Sequence, residues 1–458
     1  MLARLAIFFL FLAAAGAQDP GAAPAQDSGA VPPQNPDPET WNVYYQATSI
    51  GLQHGSFPAL YSGPLSLENT PEHDVSLTTT LFIGFRIKDA EFYIDPEIAG
   101  GRGFSNVDGL ANSENGELPR VDRATPTPYL ARAYFTYTFD FGDRTEAVVS
   151  GPNQLGGTQS QTRYVISIGR FSVTDFFDGN RYSHDPRSQF IGWAAMYNGA
   201  WDYPADTRGY TWGWVHEVYA SHWAFRYGSA AMPLVANGER FDRRIFVDRG
   251  DVWEVEHRHT LFGHSDAIRV LGYANHARMG NYAEALKLAE ATGGPPNVTA
   301  TRKAGTLKYG TGVSWDQEIA RDIGVFGRLG WNDGKTESFA FTAIDRLASG
   351  GVSVGGSRWH RKDDTAGSLL TASGISGVHA LYLARGGLDF LIGDGALSYG
   401  PEMVWESYYN ARLWKGFWAG PDFQHVWNPA YNRDRGPLWI EALRLHLELS
   451  RETFQKVH

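Results

Sequence analysis

The 458-residue chain contains no cysteine. That excludes a disulfide scaffold, a thiol nucleophile and Cys-ligated zinc. It also lacks any apolar run near the roughly 20 residues that a membrane-spanning helix needs. An excess of positive charge is missing too. The 40 Lys and Arg face 50 Asp and Glu, a net charge of −10, which argues against a general nucleic-acid binder with a basic face. What the chain does have is turn formers and rings. Its 52 Gly and 23 Pro make up about 16 % of the residues, against roughly 12 % in average usage, and aromatics reach 14 %. That mix fits many strands joined by turns better than a helical bundle.

Arg4 precedes an apolar run, Leu5 to Ala15, that ends in Ala15-Gly16-Ala17 before Gln18. A single charge, a short apolar stretch and an A-x-A site read as a bacterial secretory signal peptide spanning 1–17. Residues 18–40 are mostly Ala, Pro, Gln, Asp and Gly. Such a segment buries too little apolar surface to offset its ordering entropy, so it reads as a disordered periplasmic or surface linker. The chain is therefore exported, and if it spans a membrane it does so with strands.

From residue 41 a period of two dominates. Val75, Leu77, Leu81, Ile83, Phe85 and Ile87 alternate with Ser76, Thr78, Thr80, Gly84 and Arg86. Phe92, Ile94 and Ile98 alternate with Glu91, Asp95 and Glu97, and Tyr129, Ala131, Ala133, Phe135, Tyr137, Phe139 and Phe141 with Leu130, Arg132, Tyr134, Thr136, Thr138 and Asp140. Trp439, Leu443, Leu445, Leu447 and Leu449 face Arg444, His446 and Glu448. Less regular runs lie near 42–54, 161–171, 208–219, 221–231, 250–261, 265–276, 307–319, 322–333, 337–348, 351–357, 399–411 and 415–428, sixteen candidate strands in all. Tyr282–Ala291 and Gly377–Arg385 break the pattern and read as short helices in loops.

Alternation alone leaves two folds open. A soluble sandwich turns the apolar face inward, whereas a membrane barrel turns it outward. Long strands, charges of both signs on the polar faces and aromatics at the ends of the apolar faces (Tyr129 with Phe139 and Phe141) favour the barrel. A sheet in lipid has to close, since an open edge leaves backbone groups without partners.

Six segments are more specific than any pattern. They are His184-Asp185-Pro186-Arg187 with Phe190 and Trp193, then the run from Asn198 through Trp201-Asp202-Tyr203-Pro204 to Thr207, and Gly330-Trp331-Asn332-Asp333-Gly334. Gly386-Gly387-Leu388-Asp389-Phe390, Gly393-Asp394-Gly395 and the run from Asn428-Pro429 to Gly436-Pro437 follow. In this order, over roughly Gln53 to Leu449, the chain resembles the carbohydrate-selective porins of the OprB type.

The resemblance implies an all-β, closed antiparallel barrel of sixteen strands over 41–449. It would sit in the bacterial outer membrane and pass monosaccharides such as glucose, and other small solutes, by facilitated diffusion. It implies short periplasmic turns and long loops, some folded inward, with no catalysis and no cofactor. The expected partners are small neutral sugars, outer-membrane lipid and the barrel-assembly machinery, and the chain would act as a monomer or homotrimer. Two features depart from the family. The last strand ends at Leu449 and a tail, 450–458, follows, with Phe454 in place of a terminal aromatic. The 18–40 leader lacks the peptidoglycan-binding domain that some relatives carry.

A neutral sugar offers hydroxyls and apolar C–H faces, so weak Arg, carboxylate and aromatic sites in series suit its passage. Parity makes Arg86, Glu91, Asp95, Glu97, Arg132, Arg328, Arg444 and Glu448 the inward candidates, and Trp193 to Trp201 a candidate stacking platform. Asp185-Pro186-Arg187 and Asp202-Tyr203-Pro204 are turn-rich and expected to shape an inward loop. Glu254 and Glu256 read as a polar lumen face, although paired carboxylates also suit glycoside hydrolysis. His257 and His259 share one strand face but lack an evident third metal ligand. A secreted all-β glycoside hydrolase and a sugar-binding module stay open as alternatives.

Overall fold

The computed structural model describes residues 38–118, 125–261 and 263–450. The strands, in chain order, are β1 (Trp41–His54), β2 (Glu72–Ile87), β3 (Ala90–Gly100), β4 (Thr127–Asp140), β5 (Thr145–Val148), β6 (Gly157–Ser160), β7 (Arg163–Phe171), β8 (Thr211–Ala220) and β9 (Trp223–Ala231). They continue with β10 (Arg249–Leu261), β11 (His264–Met279), β12 (Lys303–Ala320), β13 (Ile323–Asn332), β14 (Arg346–Gly355), β15 (Thr365–Gly374), β16 (Glu402–Trp414), β17 (Phe417–Trp427) and β18 (Leu438–Ser450). All but β5 and β6 form one closed barrel in which β1 pairs with β18 and every neighbour pair, that one included, is antiparallel, while β5 and β6 pair only with each other. The signal peptide, the linker up to residue 37 and the tail from residue 451, with Phe454, lie outside the described residues.

The alternation settles which way the sheet faces. Val75 and Ile87 on β2 are 58 % and 60 % exposed, whereas Ser76 and Thr80 between them are fully buried. On β18, Trp439 and Leu443 are exposed and Ile440, Arg444 and His446 are buried. The apolar rows thus point outward, as a lipid-facing wall requires. Exposed aromatics gather near both strand ends. Trp41, Phe139, Trp223, Trp315 and Trp414 lie toward one, and Trp212, Trp331, Trp427 and Trp439 toward the other.

Three sequence expectations shift. Pro96 has no N–H to give the ladder, and a bulge forms beside it, with Asp95 opposite Arg132 and Pro96 opposite Leu130. The extra residue inverts the facing of the start of β4. Tyr129 therefore points inward and donates to Glu97, while Leu130 is exposed outside. The runs at 337–348 and 351–357 contain one strand, β14, rather than two, because 337–345 folds into the lumen. The remaining strand, β15, went unread because small residues occupy both of its faces (TAGSLLTASG) and Leu369 points inward beside outward Leu370.

Long loops, 55–71, 101–126, 172–210, 232–248, 280–302, 333–345, 375–401 and 428–437, all leave one end of the barrel. Turns, with the start of β1 and the end of β18, occupy the other. Most turns are tight, but 141–162 carries the β5–β6 hairpin and folds into the lumen, unlike the short turns expected. Asn42 donates to Gln154 O at 2.8 Å, Asn153 to Asp95 at 2.8 Å, and Arg86 to Gly156 O at 3.2 Å, so inward wall residues hold it there.

At the loop end, helices α1 (Trp193–Met196), α2 (Tyr282–Thr292) and α3 (Gly377–Ala384) form, the last two in the loops expected for them. Asn281 and Ser376 cap α2 and α3 by accepting from Glu284 N and His379 N. Between these helices the His379 ring stacks on Tyr282, centroids 4.3 Å apart, and its two nitrogens lie 3.1 Å from Asp345 and 3.1 Å from Asp389. Burial opposes its charge, but the bonds to Asp345 and Asp389 outweigh that and raise the imidazole to about 9. A group with a raised folded pKa stabilises fully below its unfolded value, near 6.5, and loses that contribution as pH rises through about 9. Protection of α2 and α3 amides from hydrogen exchange should therefore fall between neutral pH and roughly pH 9, and His379→Gln should lower protection at neutral pH and flatten the profile. Protection factors that do not change across this range would contradict the assignment.

Candidate functional site

The loop 172–210 crosses the barrel interior, and wall side chains hold it in place. Arg328 on β13, 2 % exposed, spends its guanidinium entirely on this loop. Its Nε donates to the Asp178 carboxylate at 3.1 Å, Nη1 to Ser183 Oγ and Ala195 O at 3.1 Å each, and Nη2 to Asp178 O at 3.1 Å and Ser183 O at 2.7 Å. Glu406 on β16 accepts from Ile191 N at 2.5 Å and Gly192 N at 3.2 Å, and Arg444 on β18 donates to Pro186 O at 2.9 Å and to Gln189 O. Glu254 on β10 accepts from Asp178 N at 2.7 Å. Glycine makes room for the loop at one point. Gly312 and Gly330 sit opposite each other on β12 and β13, and a side chain on either would come within 2.0 or 2.1 Å of the Asn198 amide.

Apolar groups complete the filling of the loop end. Trp193 stacks on Phe341, centroids 4.3 Å apart, and Trp201 packs on Phe177 and Tyr203. Both tryptophans are buried in this internal core, so neither offers a face to a passing solute, contrary to the stacking platform read from sequence. Arg328 and Arg444 point inward, yet Arg328 is fully engaged with the loop, Arg444 bonds it through Nη1, and both stand away from open space.

Toward the turn end the lumen opens into a cavity of about 1300 Å³. Arg86, Glu91, Arg132 and Glu448 line it, as do Glu254 and Glu256. Asp95 and Glu97 are buried behind that lining. One wall is a ladder of paired charges that sequence reading reached only in part. Arg226 meets Glu217 at 3.0 Å, Glu254 at 2.8 Å and Glu256 at 3.0 Å, and Arg269 meets Glu256 at 3.0 Å and Asp316 at 2.7 Å.

The inner end of the cavity is made by the crossing loop, through Asp175, Phe176, Phe177, His184, Asp185 and Arg187. Arg132 grips Asp175 through two bonds, 2.7 and 2.6 Å, and lies 3.4 Å from Asp95. Arg187 lies 3.1 Å from Glu117 and 3.7 Å from Glu97, and Tyr210 donates to Glu97 at 3.2 Å. Burial and Arg328 lower the His184 pKa, so its ring stays neutral at physiological pH. For Asp185, burial is outweighed by Arg187 and its carboxyl is held below the ordinary range. Arg187 was legible in sequence only as part of a turn; its partners come from segments distant in the chain. His257 packs beside exposed Trp223 and His259 lies at the rim of the cavity, and among the described residues no group of three or more His, Asp or Glu is placed to hold a metal.

A closed barrel with an apolar exterior, a wet charged lumen and an inward loop defines an outer-membrane porin, a passive channel with its turns in the periplasm and its long loops outside. The chain belongs to the carbohydrate-selective porin, OprB family, whose model matches residues 66–449. It is similar in structure to Pseudomonas putida OprB in its high-pH structure, with a TM-score of 0.66 and 14 % identity over 89 % of this chain and 94 % of that one. More distant is Pseudomonas aeruginosa OccK2 in complex with glucuronate, with a TM-score of 0.43 and 9 % identity over 90 % and 98 % of the two chains. No curated protein matches the chain in sequence. The family is one of channels for carbohydrate, and the hydrolase reading falls away with it.

Removing Arg328 would leave the Asp178 carboxylate buried without its cation, at a cost on the order of 3–5 kcal/mol. Arg328→Met should therefore free the loop while the barrel persists. Single-channel recordings should show a larger, noisier conductance, with heat-modifiable mobility on gels retained. A wild-type conductance in this variant would show that Arg328 does not hold the constriction.

Proposed function

We propose that the porin selects neutral sugars of monosaccharide size at the inner end of the cavity, where Arg132 and Arg187 face it from opposite elements. The observation that carries this reading is that each guanidinium is already held by two carboxylates, Arg132 by Asp175 and Asp95, and Arg187 by Glu117 and Glu97. Each keeps an edge toward the cavity, with side-chain exposures of 12 % and 18 %. A paired guanidinium can still donate to hydroxyls, and its carboxylates can accept from them. One cation against two carboxylates leaves each site no free positive charge, so a neutral sugar is favoured over an anion that one free Arg would trap. Tyr134 and Phe176, which also line the cavity, offer apolar ring surface beside these groups.

Beyond this point the solute enters the periplasmic cavity, where the Arg226, Arg269 and Asp316 ladder gives further weak partners. Sites in series release a solute more readily than one tight site. We also propose insertion by the barrel-assembly machinery. Because one chain encloses the whole lumen, a monomer conducts unaided, and a homotrimer would leave the path unchanged.

Proteoliposomes carrying the porin should swell faster in glucose than in gluconate. Arg132→Ala with Arg187→Ala should slow glucose entry about fivefold relative to pore size, the equivalent of about 1 kcal/mol of lost hydrogen bonding, while raising ion conductance. Equal rates for the two solutes in the wild type would remove the selectivity reading and leave a general porin. Asp and Glu outnumber Arg and Lys around the cavity, so a salt gradient should give a reversal potential of weakly cation-selective sign. An anion-selective sign would place the controlling charges elsewhere.

A further inference from the structure

The loop 232–248, between β9 and β10, carries a feature that sugar passage does not use. Ile245, Phe246 and Val247 form an exposed apolar triplet, with Phe246 89 % exposed. The backbone beneath is tightly held. Val247 N and Asp248 N donate to Arg244 O at 2.7 and 2.8 Å, and Arg244 bridges Asp242 at 2.5 Å and Asp248 at 2.7 Å. Asp248 also accepts from Gly305 N on β12 at 2.7 Å, which ties the loop to the barrel rim.

The triplet continues the lipid-facing wall. A Val247 methyl lies 3.5 Å from where Gly305 would carry a side chain, and exposed Leu307 and Tyr309 follow on β12. Cations surround it. Arg240 and Arg243 in the loop are exposed, as is Arg278 at the neighbouring end of β11, where Met279 pairs with Lys303. Among the described residues none of these three forms an ion pair, while Arg249 is taken by Asp251 and Lys303 by Glu284. Glu239 is the exposed carboxylate that stands against them.

We propose that this rim is a docking site for a phosphorylated glycolipid of the outer leaflet, with its phosphates on Arg243, Arg278 and Arg240 and an acyl chain against Phe246, Val247 and Leu307. Two arguments select that occupant. The apolar triplet is continuous with the surface that already faces acyl chains, and the unpaired arginines lie at the loop end, where the outer-leaflet headgroups lie. Anionic headgroups are attracted by clustered Arg and Lys near a membrane surface, and Arg suits phosphate through its planar fork. An exposed Phe on a soluble loop tip would otherwise stand in water.

The test is native mass spectrometry of the full chain in neutral detergent with bis-phosphorylated lipid A, its dephosphorylated form and phosphatidylcholine. The wild type should retain lipid A in preference to the other two. Arg243→Glu with Arg278→Glu should bind lipid A at least about tenfold more weakly, and Phe246→Ser should weaken all lipid retention. Heat-modifiable mobility and glucose swelling should not change in these variants, since none of the residues lines the pore. If the charge reversal impairs folding, Arg243→Gln with Arg278→Gln provides the milder comparison. Equal lipid A retention by wild type and variants, or equal retention of the dephosphorylated form, would overturn the proposal. So would a lipid-independent oligomer that Phe246→Ser disperses, because the surface would then belong to a second copy.

Discussion

A chain segment carried into a closed barrel brings its N–H and C=O groups away from water, and each then needs a partner. In this porin the partners are side chains of the wall itself. Glu402 accepts from Ala111 N at 2.9 Å, Asn112 N at 2.8 Å and Ala430 N at 2.8 Å, and so gathers two loops at one carboxylate. Asn332 donates to Ala200 O and Ile344 O at 3.0 and 2.9 Å, joining two more. Between loops, Asp202 takes Phe339 N and Ala340 N, with the wall's Lys308 3.2 Å away. The inward polar row of each strand thus does two jobs. Toward the loop end it satisfies folded-in backbone, and toward the periplasm it wets open space.

That division explains the shape of the conducting region. Where wall groups meet loop backbone, and Trp193, Trp201 and Phe341 pack between, the lumen is filled like the interior of a soluble domain. Where they meet only one another, as Arg226, Glu217 and Glu256 do, they pair laterally and leave a cavity. The boundary between the two regimes falls at Arg132 and Arg187, which have carboxylates on the filled side and space on the other. The constriction proposed there would be the natural product of that boundary and would need no separate element.

The sequence made the barrel legible because a lipid-facing strand must alternate, and β2, β3 and β18 do so cleanly. It was less legible wherever a strand answers to something other than lipid. The bulge beside Pro96 inverted the start of β4, which no count by parity can anticipate. The small residues of β15 let the wall approach its neighbours and erased the contrast between faces. Facing alone could place Arg328 and Arg444 in the lumen but could not show that both bond the crossing loop, since their partners lie about 130 to 260 residues away. The tryptophans at 193 and 201 misled for a related reason. A sugar platform and a buried loop core use the same residue type, and only packing separates them.

The periplasmic hairpin adds a constraint on the constriction that chain order hides. Asp95 is fully buried, with Arg132 at 3.4 Å on one side and Asn153 of the hairpin at 2.8 Å on the other. Arg132 in turn is gripped by Asp175 of the crossing loop. A guanidinium bound on one side by the crossing loop and on the other by a wall carboxylate that the hairpin braces has little rotamer freedom left to lose when a solute arrives. A fixed donor costs less to engage, so it can bind a sugar weakly without ordering itself first, and weak binding is what lets the solute leave. An unsupported arginine in the same place would have to choose between swinging free, which blurs size selection, and collapsing onto the nearest carboxylate, which removes it from the path. Holding it between the crossing loop and a braced Asp95 avoids both outcomes, and that gives a turn on the periplasmic side a reason to fold inward and reach Asp95.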